Sequence, residues 1–103
     1  MRGDGMEVTY RNNKIANICT NFGAAKKAYN INMAAKIHQR IRELENADSV
    51  EFMIKFKIGR CHPLIGNRNG QFAVDLVHPF RLVFTKHGEE IQIAEVIEIT
   101  DYH

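Results

Sequence analysis

The chain changes its hydrophobic rhythm once, near residue 50, and that change limits the folds open to it more than any other feature. Upstream, apolar residues recur at helical spacing. Ile15, Ile18, Cys19 and Phe22 fall at i, i+3, i+4 and i+7 in "NNKIANICTNF", and Met33, Ile37, Ile41 and Leu44 line one face of "AAKKAYNINMAAKIHQRIRELENA". Gly23 interrupts the pattern, so it predicts a hairpin of two helices, the second longer and favoured by its alanines. Downstream the runs shorten to "GRCHPL", "QFAVDLV", "FRLVF" and "EIQIAEVIEIT", rich in Val, Ile, Leu and Phe and parted by the turn sequences "IGNRNG", "HP" and "KHGE". Side chains on a strand alternate between faces. That sets Phe72, Val74 and Leu76 opposite Gln71, Ala73 and Asp75, Leu82 and Phe84 opposite Arg81, and Ile97 and Ile99 opposite Glu98 and Thr100.

Short connections between successive strands imply antiparallel neighbours. "MEVTY" reads as a first strand, and Asp48 or Ser49 in "NADSVEF" is placed to cap a further short helical turn. The expected fold is therefore α+β in two layers: an N-terminal strand and a helical hairpin packed on an antiparallel sheet. One sheet face is covered by helices. The other is partly open, and Arg81 stands on it. At 103 residues the chain makes one domain, 1–103, in which residues 1–5 receive no structural role and Met6 is a second candidate start. No stretch has the length of a membrane span, and the start lacks a signal-peptide run, so a cytoplasmic protein away from membranes is expected. Cys19 and Cys61 are far apart and fit free buried thiols in a reducing compartment.

The formal net charge of +2, from 14 basic and 12 acidic residues, is too small to identify a partner. Its placement is more informative. Lys26, Lys27, Lys36, Arg40 and Arg42 form one basic cluster, and Lys55, Lys57, Arg60 and Arg68 another, able to attract RNA or an acidic partner. The five histidines lack the paired spacing of a zinc site, so no metal and no cofactor is expected. Adjacent Cys61 and His62 point to opposite sides of a strand and make no nucleophile–base pair. "GNRNG" joins two strands rather than opening a helix, which excludes a P-loop and leaves a turn that aims Arg68 at a ligand beside the sheet. Arg68 and Arg81 offer two fixed cations for a phosphate, and Asp101, Tyr102 and His103 offer groups that orient or exchange protons. Cleaving RNA requires removing a 2′-hydroxyl proton, supporting charge on the phosphate and protonating the departing oxygen, and this inventory suffices for it.

The run "GRCHPLIGNRNGQFAVDLVHPFRLVF", with "IEITDYH" closing the sequence, resembles the HigB branch of the RelE/ParE toxin superfamily over Arg60 to His103. The resemblance implies a RelE-like fold and the toxin of a type II toxin–antitoxin pair. It further implies a ribosome-dependent mRNA endonuclease whose partners are a HigA-like helix-turn-helix antitoxin and the message on the ribosome, with DNA reached only through the antitoxin. Asp101, Tyr102 and His103 match family positions tied to activity, and His62, Arg68 and Arg81 match positions in the block and the strand after it. The roles expected are these: Arg68 and Arg81 on the scissile phosphate, His103 exchanging protons, Asp101 orienting the site or taking the 2′-hydroxyl proton, and Tyr102 stacking on or orienting a base. Arg60, His62 and Lys57 are expected to bind RNA. One departure stands out: Ile65 occupies a place where many relatives carry a Lys linked to cleavage, and Asn67 replaces an acidic residue. A ParE-like gyrase inhibitor and a catalytically silent antitoxin-binding relative are the rival expectations.

Overall fold

The computed structural model describes residues 5–101; residues 1–4, Tyr102 and His103 lie outside the described residues. The helical half begins after strand β1 (Glu7–Tyr10) and comprises α1 (Asn13–Thr20), α2 (Phe22–Ala28), α3 (Ile31–Asn46) and α4 (Val50–Lys55). The expected hairpin is thus a three-helix run followed by the anticipated short turn. The break expected at Gly23 falls at Asn21, so that Gly23 lies inside α2, and the long second helix is itself cut in two at Tyr29 and Asn30. Side-chain capping decides this. Asn12, Asn21 and Asn30 accept hydrogen bonds from the backbone N–H of Ile15 (2.9 Å), Ala24 (3.1 Å) and Met33 (2.8 Å), each starting a helix. Ser49 does the same for α4 through the Phe52 N–H at 3.0 Å. Phe22 therefore leaves the α1 stripe and is exposed on α2.

Among the described residues, five strands form one sheet in the order β1-β5-β4-β3-β2, completed by β2 (His62–Pro63), β3 (Gln71–Asp75), β4 (Phe80–His87) and β5 (Ile93–Asp101). The four later strands are mutually antiparallel, whereas β1 runs parallel to β5, because the helices between them carry the chain back to the starting end. "GRCHPL" supplies only a two-residue strand. Gly59 and Arg60 adopt positive φ (61° and 54°) in a 3-10 turn, and Pro63 has no N–H for further pairing.

The helices cover one face of the sheet. Met33, Ile37, Ile41 and Leu44 of α3 pack with Val50 and Met53 against Val74, Leu76, Leu82, Phe84 and Val96, all buried. Burying each such side chain stabilises the fold by about 1.5–3 kcal/mol. Gly5, which the sequence pattern leaves with the tail, is part of this layer: a methyl group there would collide with the Glu45 carbonyl, and the next residue, buried Met6, donates its N–H to Ala47 O at 3.1 Å. Arg40 leaves the surface basic cluster, its side chain 12% exposed, with Nε donating to Asp75 O at 2.6 Å and Nη1 to Glu43 at 2.9 Å. It passes beneath Gly59, where a Cβ would stand 2.9 Å from Nε, and so ties α3, the 3-10 turn and the end of β3 together.

The alternation expected for Phe72, Val74 and Leu76 and for Leu82 and Phe84 is observed on the helix-covered face. That expected for β5 is not. Val83 pairs with Glu98 but Phe84 with Val96, so Ile97 is an extra residue in a β-bulge. Ile97 and Glu98 consequently share the helix-free face, and Ile99 lies on the other.

Candidate active site

The helix-free face has a small apolar floor of Leu64, Ala73, Val83 and Ile97, all buried. Cross-strand register then places its polar side chains in rows: His62 beside Ala73, Asp75 beside Arg81 and Thr100, and Gln71 beside Thr85 and Glu95. Arg68 arrives from the 3-10 turn Gly66–Arg68 between β2 and β3. Its Nε donates to Gln71 Oε1 at 2.9 Å and its Nη2 to the Glu98 carboxylate, which the bulge has turned onto this face. The turn thus lays Arg68 over the helix-free face. Arg60, 79% exposed, meets Asp75 through Nε and Oδ2 at 2.8 Å. Arg60, Asp75, His78, Phe80 and Arg81 line a cleft of 300 Å³ at the β3–β4 end of the sheet.

His62 is half-buried, with Nδ1 2.8 Å from the carbonyl oxygen of Arg60. A carbonyl only accepts, so Nδ1 carries a proton and Nε2 bears the lone pair of the neutral ring. That nitrogen can take a proton, a capacity beyond the RNA binding expected of His62. The structure therefore gathers Arg60, His62, Arg68 and Arg81 on or beside one open face. Asp101 is elsewhere: the last residue of β5, exposed, in register with Phe80 and so on the helix-side row. Tyr102 and His103 fall outside the described residues. Lys57 joins Arg60 and His62 around a second groove of 360 Å³. Ile65 is 86% exposed at the entry to the Arg68 turn.

Glu98, Asp75 and Gln71 are the site residues that sequence reasoning did not find. Their contribution depends on which strands neighbour one another, and Glu98 also on the bulge. Both cysteines are buried and free, and burial pushes each thiol up to about 12, which removes them as nucleophiles. No helix is long and apolar enough to cross a membrane among the described residues.

No protein-family model and no curated protein sequence matches the chain. The fold, with helices packed on one face of a five-stranded, mostly antiparallel sheet, is that of the YoeB/ParE toxins. A YoeB/ParE toxin from Agrobacterium tumefaciens superposes with a TM-score of 0.63 at 19% identity, covering 95% of this chain and 100% of that one. The YoeB–YefM complex from Staphylococcus aureus gives 0.60 at 18% identity, and the YoeB dimer from the same organism 0.61 at 17%, each covering 95% of this chain and 97% of the other.

Proposed function

We propose that this chain is the toxin of a type II toxin–antitoxin pair, a HigB-like metal-independent endoribonuclease that cuts mRNA on the translating ribosome. The observation that carries this reading is the grouping of Arg60, His62, Arg68 and Arg81 on or beside the open sheet face. Arg68 and Arg81 hold the non-bridging oxygens of the scissile phosphate, since guanidinium matches that geometry. His62 Nε2 takes the 2′-hydroxyl proton as the 2′-oxygen bonds to phosphorus. The bond to the 5′-oxygen breaks, leaving a 2′,3′-cyclic phosphate, and His103 gives the departing oxygen its proton. Asp101 keeps an orienting role, Tyr102 stacks on a neighbouring base, and Lys57 and Arg60 take flanking phosphates. The partner is a HigA-like helix-turn-helix antitoxin, in the way that the Staphylococcus aureus YoeB occurs with YefM, and the compartment is the cytoplasm.

Incubating the protein with translating ribosomes and mapping message ends tests this. Cuts ending in cyclic phosphate are expected, and they should vanish when Tyr102 and His103 are deleted, a change beyond the last core residue of β5. Intact messages with the full chain would overturn the reading. A second reading draws support from Ile65 and from the carboxylates that already engage Arg60 and Arg68. In it, the chain is a catalytically weak relative that works mainly by binding its antitoxin. Tight antitoxin binding without cleavage would favour it, and blocked supercoiling by gyrase would favour a ParE-like toxin instead.

A further inference from the structure

From residue 52 to residue 74 the chain carries Lys55, Lys57, Arg60 and Arg68 and no Asp or Glu. The acid before this stretch, Glu51, is held by Lys86 and Gln92. At its start α4 buries Val50 and Met53 and turns Phe52 outward beside Phe56, the residue that ends the helix, with ring centroids 4.6 Å apart and planes tilted by 47°. Phe56 is 58% exposed, and the Lys55 ammonium lies 5.5 Å from its ring centre. The backbone then takes positive φ at Lys57 and Arg60, which non-glycine residues rarely adopt. It enters the 360 Å³ groove lined by Ile54, Lys57, Arg60, Cys61 and His62. An exposed aromatic pair thus joins, through a segment whose charged residues are all cations, to the edge strand whose His62 faces the site.

We propose that Phe52 and Phe56 are a stacking platform for the bases of single-stranded RNA, and that Lys55, Lys57 and Arg60 carry its backbone round the β2 edge to the open face. This rests on the endoribonuclease reading and specifies the path of the RNA beyond the cut. Two rings set among cations suit bases on a polyanion, because every base has a π-face and every step a phosphate. An amphipathic helix would need a continuous apolar groove instead.

The chain has no tryptophan, so Phe56→Trp installs a single fluorophore on the platform. Its emission should be quenched by a 12-nucleotide single-stranded RNA and not by the duplex of the same sequence, in a salt-dependent manner. By fluorescence anisotropy with the labelled strand, Phe56→Ala should raise Kd roughly 5- to 100-fold and Phe56→Tyr should restore it. Equal melting temperatures for both variants exclude misfolding. Unquenched emission together with an unchanged Kd in Phe56→Ala would overturn the proposal. So would quenching by poly-glutamate but not RNA, which indicates an acidic protein partner, or quenching by raised protein concentration alone, which indicates a second copy. Ribosomal cleavage measured on the same samples separates the two readings: cleavage without stacking removes only the platform, and stacking without cleavage removes only the nuclease.

Discussion

Arg68 shows how neighbours fix the orientation of one side chain. Gln71 and Glu98 hold Nε and Nη2, the side edge of the guanidinium, which leaves Nη1 at the outer end without a partner among the described residues. A lysine ammonium cannot hold both neighbours and present a flat edge to phosphate at once. Arg68→Lys should therefore lower the single-turnover cleavage rate at unchanged net charge; equal rates would reduce Arg68 to general electrostatics. Ile65 offers the opposite change. It is largely exposed at the entry to the same turn, so Ile65→Lys adds a cation near the proposed phosphate without disturbing the core. A charge-assisted contact worth about 1.5–3 kcal/mol corresponds to a gain of roughly ten- to hundredfold in rate. A stable variant that cuts no faster would mean that Arg60 or Arg81 already fills that place.

At the scale of elements, the caps show why the sequence was readable in part. The stripe of Met33, Ile37, Ile41 and Leu44 was legible because burial on one side of a helix imposes a period. The break before it was not, because the alanines favour an unbroken helix and a capping asparagine acts only once its neighbours turn. "TNF" and "YNI" held that signal, an Asn just ahead of a resuming apolar stripe. Asn30→Ala removes the side-chain acceptor from Met33 N–H and should cost about 1 kcal/mol, a fall in Tm of roughly 4–8 °C by thermal melting. The strand faces were legible up to Phe84 and failed at Ile97, since a bulge inserts a residue without altering the local mix of apolar and polar side chains. Arg68 and Arg81 could be proposed as anion holders from residue type alone. Glu98 could not, because its meeting with Arg68 spans 30 positions and depends on strand order.

Across the whole molecule, Glu51 fastens the helical layer to the far end of the sheet. Its carboxylate accepts from Gln92 Nε2 at 2.9 Å and Lys86 Nζ at 2.5 Å, while Gln92 Oε1 accepts the Val50 N–H at 2.9 Å. The Gln92 hydrogen bond and then the Lys86 contacts lower its pKa from an ordinary 4.5 to about 2. A carboxylate more acidic in the folded state stabilises fully above the unfolded value and loses that contribution as pH falls through the folded one. Glu51→Gln should therefore be less stable than the parent at neutral pH, with the gap closing between pH 4.5 and about 2 in denaturant titrations. The gap should be small, because the Glu51 side chain is 61% exposed and solvent screens it. A gap that persists at pH 2 would assign the effect to packing.

The place of β5 has a consequence in time. It is the last of the five strands in chain order, yet it lies between β1 and β4, pairing Glu7 with Ile93 and Phe80 with Asp101. Synthesis runs from the N-terminus, so every other part of the sheet exists before the strand that joins it. Until β5 emerges, β1 has no neighbour, the floor lacks Ile97 and Arg68 lacks the carboxylate that orients it. If the protein acts on translating ribosomes as proposed, the ribosome that makes it would meet an incomplete site until the final strand is out.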